Sequence, residues 1–532
     1  MDGRTLSRRG LGRWGSWTLL GRSLFILSLL VAYVLAFRAV EFDPANILQN
    51  LHHLRNLLGK MYPPDFSHFD QLIRPLIQTL QISFLGTLFG ALLAIPLVAF
   101  GTQVVIRNPW IYWPIRSLMN LLRTVPDLVY AVLFVVAFGY DHGPLAGMVA
   151  LSVFSCSIIA KLASESADNI NRRPIEAIEA TGASKFQVIR YAVIPQLLPA
   201  FIDHTIYVFE LNVRVAAVMG YVGAGGIGQQ LLTQLDLLKY DTVFAIILTI
   251  FALVVVIDFV GNRIRDALLH GLRMPFPVQV LTWVALGWTA VWSLLSLDVN
   301  PERVLIGLGY LKNLLWAIVS SPAMEFFNIS ISRMWESLLI AFVGTTLSFI
   351  LAFPLGFLAS RKYTGIPSQV AFWVKQIPGA IRAFPELILA IFFIASFGPG
   401  PLPGVLAIAI HSIGMLGKMN AEAVEKIRKE QVEALQATGA NRAQVFRFGI
   451  LPQVLPEFLA LAIYRFEINV RASTVLGIVG AGGIGMLINE ALQLRQWNII
   501  GLCLLVIIPV VIVIDFISER IRRKLIEGSH SA

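Results

Sequence analysis

The chain has 532 residues, of which 56% are hydrophobic and only 14% charged, with a mean hydropathy of +0.72. Soluble domains are roughly 45–50% apolar and about 25% charged, so the composition excludes the three or four soluble domains that length alone would suggest. The net charge of +10 does not point to nucleic acid, because the Lys and Arg residues sit in short clusters between apolar runs, as in cytoplasmic loops of membrane proteins.

Taken in chain order, Arg4, Arg8, Arg9, Arg13 and Arg22 precede the apolar stretch Leu24–Phe37. Arg38 and Glu41 follow it, not a small-residue cleavage site. The expectation is a cytoplasmic segment 1–22 and an uncleaved first span around 24–40. Further spans are expected around 76–100, 114–139, 144–163, 198–220 and 241–261. A cytoplasmic linker at 270–280, with Pro275 and Pro277, then leads to spans around 279–297, 334–359, 370–398, 402–419, 455–477 and 496–517. The fifth span of each set has a polar middle. The segments near 41–73 and 299–331 fall outside the membrane on the far side. This gives an all-α polytopic membrane protein with about 12 transmembrane helices: a first half at 23–269, a second at 281–526 and a tail at 527–532.

The halves are repeats. Glu176–Pro199 (EAIEATGASKFQVIRYAVIPQLLP) returns as Glu433–Pro456 (EALQATGANRAQVFRFGILPQVLP), FELNVR at Phe209–Arg214 as FEINVR at Phe466–Arg471, and GYVGAGGIG at Gly220–Gly228 as GIVGAGGIG at Gly477–Gly485. All three recur at one offset, 257 residues, and 30 of 53 aligned positions are identical without a gap. RTVPDL (Arg123–Leu128) matches RAFPEL (Arg382–Leu387) at an offset of 259. Basic residues cluster in the loop between the fourth and fifth spans of each half and after the sixth. Both termini are therefore expected in the cytoplasm, with the six-span repeats inserted in parallel.

Each fourth-to-fifth loop reads as a short helix, a Gly that breaks it (Gly182, Gly439), a second short helix, and a Pro that restarts the chain. GAGGIG contains the G-x-G-x-x-G spacing. It follows a span where a dinucleotide site needs a strand, and no Gly-Lys-Ser/Thr follows, so close helix approach or a kink lining a path is the better reading. Ionisable residues beside apolar spans, each costing about 2.5–3.5 kcal/mol at a span centre, mark candidate function. They are Arg123 and Arg382, Lys161 and Lys418, Glu210 with Arg214, and Glu467 with Arg471. The i,i+4 spacing of the last two sets also allows neutralisation within one helix. Asp258 and Asp515, each before a basic pair, read as structural. Cys156 and Cys503 lie in apolar runs and support neither a disulfide framework nor a metal site. No H-E-x-x-H, G-x-S-x-G or P-loop occurs, so the chain is not expected to be an enzyme or to bind a cofactor.

The paired loop resembles the EAA loop of ATP-binding-cassette importer permeases, with Ile178 and Leu435 in place of the second Ala. The segments Arg382–Glu425 and Arg465–Gly485, with their first-half copies, resemble the phosphonate and phosphite importer permeases and their relatives for methionine. The resemblance implies a type I importer permease (MetI-like) core with two permease halves fused in one chain. It implies Glu176, Ala177, Gly182, Glu433, Ala434 and Gly439 in loops that dock on two cytoplasmic ATPase subunits, which use the ATP. It also implies an extracytoplasmic binding protein that delivers the anion. Candidate residues along the substrate path are Arg123, Arg382, Lys161, Lys418, Arg214, Arg471, Asn212, Asn469, Gly225 and Gly482. Val208 stands where the second half has Arg465. A permease for another small solute such as methionine, or an ion-coupled secondary transporter, remains the alternative, although the latter has no need of a paired EAA loop.

Overall fold

A computed structural model describes residues 31, 33–106, 108–269, 276–297, 299, 301–360 and 368–530, and every regular element among them is a helix. In the first half α1 (Pro44–Met61) is capped by Asp43, whose carboxylate accepts from Ala45 N, and it starts on a Pro that has no N–H to leave unpaired. It is followed by α2 (Phe69–Phe100), α3 (Pro109–Thr124), α4 (Asp127–Phe138), α5 (Gly143–Asp168), the short α6 (Arg173–Ala180) and α7 (Lys185–Val188), α8 (Ile194–Met219), α9 (Ile227–Asp236) and α10 (Tyr240–Leu269). The second half repeats the order, with α11 (Phe276–Ser296), α12 (Pro301–Ser320), α13 (Phe327–Ala359), α14 (Ser368–Ala383), α15 (Glu386–Phe397), α16 (Pro401–Glu425), α17 (Lys429–Ala437), α18 (Arg442–Gln444), α19 (Leu451–Ile478), α20 (Ile484–Gln493) and α21 (Trp497–His530).

Among the described residues nine helices are long and apolar enough to cross a membrane, or eleven if each bent pair counts once. Of the expected first span, residues 24–30 and 32 lie outside the described residues, and 33–39 are helical. The spans expected as single helices at 114–139 and 370–398 are each two. Helices α3 and α4 meet at 86°, and α14 and α15 at 80°. Pro126 and Pro385 stand at the breaks, where the missing N–H and the extended residue before proline stop the helix (Val125 has φ −74, ψ 125). Residues 270–275 of the expected linker lie outside the described residues, and 276–280 already belong to α11. The helix α21 continues through most of the expected tail, to His530. The segment expected as an outer connection near 299–331 contains α12, itself apolar and long enough to cross.

The core of each half is a bundle of the helices at its second, fourth and fifth expected spans, α2, α5 and α8 in the first and α13, α16 and α19 in the second. Small residues bring the first two of each set together: a Cβ added at Gly90 would lie 2.4 Å from Ser155 Cβ, and one at Gly344 would lie 2.7 Å from Ile408 Cγ2. The leading helices of each half reach across. Helix α1 packs on α10 and on α15 of the second half, while α12 packs on α21 and on α4 of the first. Helix α11 lies against α2, and the Tyr33 ring sits 4.9 Å from that of Phe342.

Candidate functional site

The two repeated loops are surface features. Helix α6 buries none of its residues, and Glu176, Ala177 and Gly182 are exposed, as are Glu433, Ala434 and Gly439. Gly182 (φ +77) and Gly439 (φ +80) are left-handed, a conformation that costs a residue with a Cβ roughly 1–2 kcal/mol. The second short helix of each loop starts on a reciprocal capping box, Ser184 with Gln187 and Asn441 with Gln444. A wide-turned stretch, 189–193 or 445–450, then joins it to α8 or α19. In the second loop the apolar substitution Leu435 packs with Val432, Val445 and Ile450 in a small core of its own. Tyr191 and Phe448, at equivalent positions, are 62% and 63% exposed, each beneath an arginine (Arg190 and Arg447). Exposed aromatic and basic side chains on a rigid helix–turn–helix form a surface suited to docking a partner.

At the opposite end of α8 and α19 the glycine-rich segments turn tightly into α9 and α20. Two N–H groups of each segment are satisfied by side chains of the second span. Gly226 N donates to Gln78 Oε1 (2.9 Å) and Ile227 N to Thr79 Oγ1 (2.9 Å). In the second half Gly483 N donates to Glu336 Oε1 (3.1 Å) and Ile484 N to Ser337 Oγ (2.9 Å). A Cβ at Gly225 would come within 2.7 Å of Pro144, and one at Gly482 within 2.8 Å of Pro401. The segment is a tight junction of helix ends.

Between these ends lie two networks of charge, each centred on a buried glutamate with half-buried partners around it. In the first, Arg265 contacts Glu210 (3.0 Å), Arg214 pairs with Asp258, and Arg382 of the second half approaches Asp258 (3.6 Å). In the second, Glu467 accepts from Arg471 (2.6 Å), Arg522 (3.1 Å) and Arg123 of the first half (3.3 Å), and Arg471 also approaches Asp515 (3.6 Å). The i,i+4 neutralisation is therefore formed by Glu467 and Arg471, whereas Arg214 pairs with Asp258 instead of Glu210. Arg123, Arg382, Arg214 and Arg471 are all brought together with carboxylates, and two of them tie the halves to each other. Lys161 pairs with Glu165 (3.1 Å) and Lys418 stands 4.0 Å from Glu422, each one turn along its own helix.

Asn212 and Asn469 are fully buried and fasten three helices. Asn212 Nδ2 donates to Thr87 Oγ1 (2.8 Å) and Ser155 Oγ (2.6 Å), and Asn469 Nδ2 to Thr345 Oγ1 (2.8 Å) and Ser412 Oγ (3.0 Å). One cluster has no first-half copy. Arg465 Nε donates to Ser412 Oγ (2.8 Å), and its Nη2 lies 3.6 Å from Glu386 Oε2. Glu386 Oε2 lies 4.0 Å from Nε2 of His411, whose Nδ1 bonds the Phe384 carbonyl (3.0 Å). Sequence reasoning missed Arg265, Arg522, Glu386 and His411 as members of these clusters and read Asp258 and Asp515 as merely structural. The repeated Asp-x4-Arg-x-Arg of the sixth spans was the available signal for the first network and its copy.

The profile of the family described as binding-protein-dependent transport system inner membrane component matches residues 86–272 and 352–527. The chain is 31% identical over 505 residues to the phosphate-import permease protein PhnE of Mycolicibacterium smegmatis, with 93% of each chain covered. It is 35% identical over 257 residues to the phosphite transport system permease protein PtxC of Stutzerimonas stutzeri, covering 48% of this chain and 92% of that one. A solved structure of the MetNI methionine ABC transporter in an inward facing conformation aligns with 36% of this chain at 26% identity and a TM-score of 0.33. With the family profile found in each half and a relative matched over 93% of both chains, the chain belongs to the binding-protein-dependent transport system inner membrane component family.

Proposed function

We propose that this chain is the complete pair of permease halves of an ATP-binding-cassette importer for phosphorus oxyanions such as phosphonate, phosphite or phosphate. The observation that carries it is the twin loop: two exposed helix–glycine–helix segments, built alike at the same end of α8 and α19; in this reading each docks one ATPase subunit. The full-length relative is named for phosphate import and a half-length one for phosphite, which supports the substrate class. An extracytoplasmic binding protein delivers the anion, both termini lie in the cytoplasm, and ATP-driven closure of the ATPases draws the loops together so that the path opens outward. The test is reconstitution of the chain with its ATPase subunits and binding protein in liposomes. ATP hydrolysis should rise with at least one of phosphonate, phosphite and phosphate. Stimulation by methionine alone, or uptake that collapses with an uncoupler while ATP is held high, would end the proposal.

A further inference from the structure

The charged groups at the meeting of the halves are repeat-related with one exception. Arg123 matches Arg382, Arg214 matches Arg471, Glu210 matches Glu467, Asp258 matches Asp515, Arg265 matches Arg522 and Asp127 matches Glu386. Arg465 has no such counterpart. Its equivalent is Val208, 0% exposed, and Phe154 stands where the second half has His411. Arg465 is itself 3% exposed. A guanidinium held this deep in a span is a functional site by default, since its insertion is costly and a valine fills the same place in the other half.

Its hydrogen bonds use Nε and Nη1 and leave out Nη2. Nε donates to Ser412 Oγ, and Nη1 faces the Met415 sulfur at 3.1 Å, a weak acceptor. Nη2 is buried and donates to no acceptor among the described residues. The Glu386 carboxylate neutralises it from 3.6 Å, beyond hydrogen-bond range. The cluster lies where the halves meet: α19 packs on α4 of the first half as well as on α15, and Glu386 is within electrostatic reach of Asp127.

We propose that Arg465 receives the phosphorus oxyanion in the translocation path, its Nη2 edge exchanging the loosely held Glu386 for the anion's oxygens, and that the chain carries one such site instead of a symmetric pair. This rests on the importer reading above. A planar fork matches two oxygens of a tetrahedral oxyanion, which an ammonium cannot do. Val208 leaves the equivalent place in the first half apolar, so the anion is gripped by one half and passes along the other. Ser412, tied to Asn469, fixes the guanidinium plane.

The experiment measures methylphosphonate and inorganic phosphate uptake per ATP hydrolysed, in liposomes containing the full chain, its ATPase subunits and binding protein. The variants are Arg465→Lys, Arg465→Gln, and Arg465→Gln with Glu386→Gln. Uptake per ATP should fall at least roughly tenfold in all three, the loss expected when a hydrogen bond to a charged group is removed. If Arg465 merely neutralises Glu386, the double variant recovers parental uptake and the proposal is overturned. Should Arg465→Gln fail to assemble with the ATPase, Arg465→Lys decides, because it keeps the charge and loses the fork. Parental uptake by the Lys variant, or its failure to assemble, would equally overturn the proposal. If the parent chain itself moves neither anion while another solute is imported, the importer reading falls instead, and the two failures are told apart.

Discussion

Glu467 offers a test of how the halves are held together, because Glu210 provides a control at the same place in the repeat. Glu467→Gln removes the carboxylate shared by Arg123, Arg471 and Arg522. Removing one partner of a buried pair costs about 3–5 kcal/mol. Two discounts apply: Arg123 and Arg522 are 30% and 28% exposed, so water takes up part of their loss, and Arg471 keeps Asp515 at 3.6 Å. The expected cost is therefore near the lower bound, about 3 kcal/mol. Glu210→Gln strips only Arg265, which already donates to Asn262 Oδ1 at 2.8 Å, so the loss is about 1.5 kcal/mol, that of one charged hydrogen bond. The difference of about 1.5 kcal/mol is slightly more than tenfold in the unfolding equilibrium. Reversible SDS unfolding in mixed micelles, followed by circular dichroism, measures both variants against the parent. Equal losses, or a larger loss for Glu210→Gln, would refute the account of Glu467 as the point where three arginines and both halves converge.

Three further outcomes follow from other parts of the fold. Gly182→Pro and Gly439→Pro should each abolish anion-stimulated ATP hydrolysis while the chain still inserts, and Asn should be tolerated better than Ala at both positions, because the left-handed φ is the obstacle and a Cβ there meets nothing within 4 Å; normal coupling in both Pro variants would dismiss the docking role. Gly501→Ala should loosen α12 from α21, since the new Cβ would lie 2.2 Å from the Ile318 carbonyl oxygen, whereas Gly309→Ala, with nothing within 4 Å, should be neutral or gain up to about 1 kcal/mol of helix propensity; protease sensitivity of α12 distinguishes them. A cysteine placed in 270–280 should resist impermeant reagents on intact cells and react once the cytoplasm is opened, with native Cys156 and Cys503 silent because both are buried; labelling from outside would reverse the topology.

The repeat and the twin loops were legible because each rests on local rules: a left-handed glycine, a capping box and a proline restart are written within some twenty residues. The bends were half legible. Pro126 and Pro385 mark the breaks, but hydropathy runs straight through them and suggests one span. The ion pairs were not legible, because i,i+4 spacing names a candidate inside one helix while the neighbouring helix decides the outcome. Arg214 finds Asp258 on α10, and Arg123 finds Glu467, 344 positions away. Asn212 and Asn469 stood out as polar residues in apolar spans, yet nothing local says that they fasten three helices together. The role of α12 was hidden for a similar reason: its apolar surface is covered partly by the other half of the chain.

The capped glycine junction has a mechanical consequence. In each half the glycine-rich end of α8 or α19 is tied to the first half of α2 or α13 by two hydrogen bonds, and the asparagine ties the same helices again further along. Two separated ties prevent sliding and leave rotation of the block as a unit. At 26 residues α8 spans about 39 Å, with the junction as fulcrum at one end and the exposed loop at the other. A tilt of about 10° over that length carries the loop sideways by about 7 Å, while groups near the fulcrum barely move. A large stroke at the surface thus becomes a small, stiff displacement at the far end, and the sideways throw is set by helix length and not by any local flexibility.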